Sequence, residues 1–300
     1  MSHNHSHTPE NYNMAFAIGI SLNIIFVLIE VSYGVIADSL ALIADAWHNL
    51  SDVFSLLLAW GANYLASRPA TDKRTYGLRR VTIMASLFSA ILLLFALGGI
   101  AWEALERLWE PSPANGLVII TVAAIGVVIN TATALLFVSG QKHDLNIRGA
   151  YLHMAADAGV SMGVVIAGVA IMFTNWLWLD PLISLFIVLV VLLGTWNLLK
   201  DSFNLSIDAV PKEIDVSKVR AYLSTLEGVS EIHDLHIWAL STRQNALSVH
   251  IIRRDKRLDN SFLNRIQEHL RHHFNISHVT VQVESEEGEN GCLLNHSECI

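Results

Sequence analysis

Charge is scarce in these 300 residues: only 15% are Asp, Glu, Lys or Arg, against 53% hydrophobic, where soluble domains carry about 25% charged residues. That deficit excludes an ordinary water-soluble globule and implies a membrane. Cysteine is scarcer still, and the two present, Cys292 and Cys299, cannot build a disulfide framework. Basic residues are outnumbered 19 to 27, for a formal net charge of −8. The broad basic face that nucleic acid requires is therefore missing, and no nucleic-acid partner is expected. The leader ahead of the first apolar run, which begins at Met14, has no Lys or Arg and three histidines, His3, His5 and His7. No small-residue cleavage signature follows that run, so a retained first helix is expected rather than a signal peptide.

Histidine, at 14 residues, and long apolar runs are what the chain has in abundance. The runs lie almost wholly before Asp208, whereas ten of the 19 Lys and Arg and 13 of the 27 Asp and Glu lie from Pro211 onward. Four parts are expected: a His-rich cytoplasmic leader (1–13), a six-span membrane domain (14–208), a cytoplasmic domain (209–285) and an acidic Cys/His tail (286–300).

Six segments approach the ~20 residues needed to cross ~30 Å of hydrocarbon. They run from about 14–36, 39–66, 80–106, 116–139, 149–173 and 180–200, and the second, third and fifth carry polar residues that weaken their hydropathy. The loop after the second holds Arg68, Lys73, Arg74, Arg79 and Arg80, that after the fourth Lys142 and Arg148, and Lys200 and Lys212 follow the sixth. The opposite loops carry only Arg107. Positive residues stay inside, so both termini are expected in the cytoplasm, whose reducing environment favours metal binding by Cys292 and Cys299 over a disulfide.

Ionisable side chains within a span are costly and mark function. The second span contains Asp45, His48 and Asp52 in DAWHNLSD, and the fifth contains His153 and Asp157 in HMAAD. Each has a His-x-x-x-Asp, which puts imidazole and carboxylate on one helix face a turn apart. Two such pairs supply two nitrogens and two oxygens, a tetrahedral set suited to Zn²⁺. Asp45, one turn before His48, could accept from an imidazole N–H or act as an outer-side relay, and is expected in the second shell.

SLALIADAWHNLSD, HMAADAGVS and the layout of six spans plus tail resemble the cation diffusion facilitator family, nearest its bacterial zinc exporters. The resemblance spans almost the whole chain. It implies a homodimer in the inner membrane that exports Zn²⁺ in exchange for protons by alternating access, with His48, Asp52, His153 and Asp157 as the transport site. Two carboxylates also offset the charge of a dication in a low-dielectric site. Relatives often bind a second metal between spans two and three; here ATDKRTYGLRR offers Asp72 and no histidine, and that site is expected to be absent.

Beyond Pro211 the pattern shortens. DVSKVRAYLSTLE (215–227) reads as a helix capped by Asp215, VSEIHDLHIWALS and NALSVHIIRR as strands joined at TRQN, residues 259–274 as an amphipathic helix and 278–284 as a third strand. This αββαβ order indicates a small α+β domain, and it resembles the family's ferredoxin-like tail, which implies dimerisation and metal sensing. His233 and His236 are three apart and should face opposite sides of a strand, so at most one joins His250. The spacing of His233, His250 and Glu284 resembles the tail metal site of related zinc transporters and selects His233. His269, His272 and His273 read as a solvated helix face. Cys292, His296 and Cys299 lie within reach of one ion, and with the His-rich leader they suggest zinc capture.

Two other classes are weighed. An intramembrane metalloenzyme needs an open coordination position and a general base, but HExxH is absent and the two motifs together fill a tetrahedron. A zinc sensor without transport leaves His48 and Asp52 in the bilayer without a purpose. Cd²⁺, Co²⁺ and Ni²⁺ also suit such a site, since affinity order alone does not select among them.

Overall fold

A computed structural model describes residues 13–110, 115–138, 145–254 and 260–285. The leader histidines His3, His5 and His7, and Cys292, His296 and Cys299, lie outside the described residues.

Six long helices come first: α1 (Asn13–Ile36), α2 (Leu40–Ala66), α3 (Val81–Trp109), α4 (Gly116–Phe137), α5 (Leu145–Thr174) and α6 (Leu179–Ser206). At ~1.5 Å per residue, even the shortest, α4 with 22 residues, covers the hydrocarbon layer. Five of them are long and apolar enough to cross a membrane, and α2 is not among these. Asp45, His48, Asn49 and Asp52 all lie in α2 and lower its hydropathy, while α3 and α5, expected to be weakened in the same way, still qualify. Phe95, Trp102, Phe173 and Leu193 are each more than 60% exposed, an outward apolar surface that suits lipid and not water.

The chain divides into two compact units, one of Met1–Leu57 with Ser89–Asn197, the other of Leu58–Phe88 with Leu198–Ile300. In the first, Phe26, Leu42, Leu97, Ile119, Val122, Val164 and Ile187 form the core. Small residues let α4 and α5 approach closely: a Cβ added at Gly116 would stand 2.9 Å from the Gly168 carbonyl oxygen. α2 is anchored at its start by Asp180 of α6. The carboxylate accepts from Leu40 N at 2.7 Å, from Ala41 N at 3.4 Å and from the Ser39 hydroxyl, so a buried acid occupies the positive end of the helix dipole. Arg107 holds the preceding turn, donating to the Asp38 carbonyl and carboxylate at 2.7 Å each.

The second unit carries α7 (Val216–Ser224), β1 (Val229–Ala239), β2 (Asn245–Arg253), α8 (Asn260–Phe274) and β3 (Ile276–Ser285), the expected αββαβ order. Asp215 caps α7 by accepting from Ser217 N and Lys218 N. β2 is central, antiparallel to β1 and parallel to β3. This is the split βαβ arrangement without its first strand, which would otherwise separate the two parallel strands joined through α8. Phe262, Ile266 and Leu270, four apart on α8, pack with Val219 and Leu223 of α7 on Leu247, Val249 and Ile251 of β2. Also in this unit, Arg80 pairs with Asp208, Thr82 Oγ1 accepts from Thr242 N at 3.1 Å, and Tyr76 meets His278 edge to face at 5.4 Å.

Four helices end on left-handed Asp or Asn residues, Asp38, Asn175, Asp208 and Asn275, with φ between 52° and 63°. These short polar side chains tolerate the conformation that glycine usually supplies at a helix end.

Candidate metal centres

On α2 the residues Asp45, His48, Asn49 and Asp52 follow i, i+3, i+4, i+7 and share one face. On α5, Asp157 is one turn after His153. The two faces meet inside the first unit. His48 Nε2 lies 3.2 Å from Asp157 Oδ1 and 3.9 Å from Asp52 Oδ2, and His153 Nε2 lies 3.1 Å from Asp52 Oδ2 and 3.7 Å from Asp157 Oδ2. Each imidazole thus faces a carboxylate of its own helix and one of the other. The two rings are 6.0 Å apart and nearly perpendicular. A tetrahedral zinc with bonds of ~2.0–2.1 Å has ligand–ligand edges of about 3.3 Å, and the four N–O separations bracket that length. His48, Asp52 and Asp157 each present a ligand atom within 4.8 Å of the others', with His153 closing the ring through the two carboxylates.

Exposure is graded across the cluster: the Asp157 side chain is 3% exposed, His48 17%, Asp52 37% and His153 42%. The cluster is sealed on the Asp157 side and open toward the Asp52–His153 side, which faces the C-terminal end of α2 and the N-terminal end of α5.

Asp45 is fully buried, and its Oδ2 accepts from Ser161 Oγ at 3.2 Å. Glu30, also fully buried, accepts from Asn49 Nδ2 at 3.2 Å. Glu30, Ser161 and Asp180 escaped the sequence reading. The rule that found Asp52 would have found Glu30, the lone carboxylate of α1, and Ser161 follows Asp157 by one helical turn.

In the tail domain His233 pairs directly with His250 across β1 and β2. His250 alternates with Val249 and Ile251, which pack toward the helices, so it projects from the opposite sheet face. His250 Nδ1 is 3.1 Å from Glu284 Oε1 and His233 Nε2 is 3.6 Å from Glu284 Oε2. The trio offers ligand atoms all within 4.8 Å of one another.

The parity expectation for His236 fails. His236 pairs with Ser248, so three steps along β1 span only two along β2. This register shift is a β-bulge, which returns His236 to the face of His233, and Asp234 within it has φ 50°. Asp234 then joins the two histidines beside it: Oδ1 is 2.7 Å from His236 Nε2 and Oδ2 is 3.5 Å from His250 Nε2. On α8, His269 is not simply solvated, because it stacks on Tyr222 at 3.7 Å with planes 10° apart. Burial against that ring, and then the neighbouring His273, hold the His269 imidazole below its ordinary value. Asp72 of the 67–80 segment is exposed in a short turn where Thr71 bridges to Arg74.

A histidine–carboxylate cluster lies within a bundle of apolar helices, where ionisable groups are costly and mark function. Residues 16–205 match the cation efflux transmembrane domain and residues 211–286 the cation efflux protein cytoplasmic domain. The chain belongs to the cation efflux family and is a multi-pass membrane transporter, not an enzyme. It is 38% identical over 284 residues to the metal cation efflux system protein CzcD of Cupriavidus metallidurans, covering 94% of this chain and 89% of that protein. It is 37% identical over 292 residues to a cadmium, cobalt and zinc/H⁺–K⁺ antiporter of Bacillus subtilis, and 34% identical over 293 residues to the zinc transporter ZitB of Escherichia coli. Each of these two alignments covers 95% of this chain and 93% of the relative.

Proposed function

We propose that this protein exports Zn²⁺ from the cytoplasm in exchange for protons, with His48, Asp52, His153 and Asp157 as the transport site. The observation that carries the reading is the ring of N–O separations between 3.1 and 3.9 Å contributed by two helices. Neutral imidazoles and carboxylates bind the ion, and protonation of the same groups weakens that binding, so metal and proton loading compete. Two carboxylates cancel the charge of the dication, which a water-poor bundle demands. The loop charges support a reading with both termini in the cytoplasm of a bacterial inner-membrane protein, in which the open side of the site faces the cytoplasm. Zn²⁺ enters from that side, and alternating access turns the exchange into export. The names of the relatives support zinc first, with Cd²⁺ and Co²⁺ as further substrates.

The tail domain is the homodimerising part, and His233, His250 and Glu284 hold a regulatory Zn²⁺ on its open sheet face. The leader histidines and Cys292, His296 and Cys299 are assigned to zinc capture. Reconstituted protein should take up Zn²⁺ into everted vesicles with an imposed pH gradient. His48→Ala and Asp157→Ala should abolish uptake, whereas His250→Ala should spare it at saturating zinc. Wild-type uptake by Asp157→Ala refutes the transport site.

A further inference from the structure

The second unit contains a cavity of about 540 Å³ that the metal chemistry does not use. Its walls come from distant parts of the sequence. Arg68 lies two residues past the end of α2 and Arg79 two before the start of α3; the other wall is Ser241, Arg243 and Gln244 of the β1–β2 turn with His278 of β3. The walls are joined at buried Thr82, whose hydroxyl donates to Arg79 O at 3.0 Å and accepts from Thr242 N at 3.1 Å. A second buried hydroxyl, Ser241 Oγ, accepts from Arg243 N at 3.2 Å and from Gln244 N at 3.0 Å. These bonds fix the turn that carries Arg243, and among the described residues none accepts the Ser241 O–H.

Charge sets this cavity apart. Three guanidiniums line it and no Asp or Glu does. Neighbouring Arg80 pairs with Asp208, but among the described residues no carboxylate stands within 4.0 Å of Arg68, Arg79 or Arg243. Arg68 lies over the Tyr64 ring, 5.4 Å from its centre, a contact that leaves the charge in place. Like charges around one hollow repel unless an anion sits among them, and the chain as a whole carries a net charge of −8, so this concentration of arginine is local. A guanidinium fork matches a phosphate in geometry, two N–H groups to two oxygens. Phosphate oxygens also accept from hydroxyl and imidazole N–H groups, which Ser241 and His278 supply. The volume falls in the range of small-molecule sites, about 300–1,000 Å³, and exceeds what a bare anion fills.

We propose that this cavity binds a phosphate ester, with Arg68, Arg79 and Arg243 holding its anionic oxygens and Ser241 donating from the inner wall. Two sources carry that group: the headgroup of an acidic phospholipid, which basic residues at helix ends meet at the membrane surface, and a soluble organic phosphate. The arginines belong to the helix ends and to the β1–β2 turn, so the bound ligand ties these segments together and raises the melting temperature.

The test uses the full chain in nanodiscs of phosphatidylcholine, with and without phosphatidic acid, and in phosphatidylcholine discs given glycerol 3-phosphate, the same headgroup without its acyl chains. Melting temperature and bound ligand, counted by native mass spectrometry, are read in each. Binding and stabilisation by phosphatidic acid alone support the proposal with a lipid as the source, and binding of glycerol 3-phosphate supports it with a soluble source. Binding of neither overturns it. Arg79→Gln and Arg243→Gln should each weaken binding about tenfold or more. Arg74→Gln, in the same loop but outside the lining, should change it by less than about twofold. Equal losses in all three overturn the proposal, because general attraction to a basic surface does not distinguish them. Phenylglyoxal labelling of the wild-type chain needs no variant. Ligand should slow modification of Arg68 and Arg243, both exposed, and spare exposed Arg74; uniform labelling overturns the proposal.

Discussion

Replacing Asp157 by Asn keeps the shape of the side chain and removes its charge, and the consequence differs sharply from the same change at Asp52. Asp157 is 3% exposed and faces both imidazoles, at 3.2 and 3.7 Å. Its charge lies where water cannot substitute for it. Breaking such a buried charged contact costs about 3–5 kcal/mol, equivalent to roughly 200- to 5,000-fold in Kd. Asp52 is 37% exposed, so water screens its charge and solvates the groups it faces, and the loss should be about 1–2 kcal/mol, or roughly 5- to 30-fold. Titration calorimetry of the full chain in detergent would read both, with His250→Ala present so that the tail-domain trio does not contribute heat. The refuting result is an Asp52→Asn variant as weak as Asp157→Asn, or weaker. That would mean the burial gradient does not set ligand strength.

Asp180→Ala should lower thermal stability by about 2–4 kcal/mol, because it strips the acceptor from Leu40 N, Ala41 N and Ser39 at the buried start of α2; an unchanged Tm would contradict this. At Gly116 an added Cβ meets two backbone atoms, Gly168 O at 2.9 Å and Met172 N at 3.2 Å, so Gly116→Ala should cost about 1–3 kcal/mol. Gly98→Ala meets nothing within 4 Å and should be neutral or stabilising by up to ~1 kcal/mol; equal melting of the two variants would refute the close α4–α5 contact. His269 is held below its ordinary value of 6.5 by burial and His273, so the fold favours its neutral form. Its contribution is complete above the unfolded-state value and is lost as pH falls through that value toward the folded one. Melting curves between about pH 7.5 and 5.5 should be less pH-sensitive in His269→Gln than in the wild-type protein, and identical slopes would remove the effect.

Spacing alone carried much of the His48–Asp52–His153–Asp157 cluster. An α-helix converts His-x-x-x-Asp into two ligands on one face whatever surrounds it, and a charged group in an apolar span is visible in the sequence because insertion is costly. The six helices were legible for the same reason, since hydrocarbon thickness sets their length, and α2 stood out by the polar residues that lower its hydropathy. The tail-domain elements followed from periodicity and from Asp215 at a helix start. Strand parity misled at His236 because a bulge adds a residue without announcing itself, and the left-handed Asp234 that makes it could have been any Asp in a strand.

Which faces meet is a matter of packing between distant segments. Only the tertiary structure joined Glu30 to Asn49 and Asp45 to Ser161, carried Asp180 to the first turn of α2, and buried Asp157 while leaving Asp52 and His153 open. Each of those contacts is made by residues more than a dozen positions apart, and the close approach of α4 to α5 through Gly116 and Gly168 depends on shape and not on composition. The sequence by itself determined the solvent, the helices and the ligand chemistry, because these are local properties. The tertiary structure decided the burial gradient across the histidine–carboxylate cluster and the burial of Glu30 and Asp45 beyond it, because desolvation is a property of the surroundings and not of the residue.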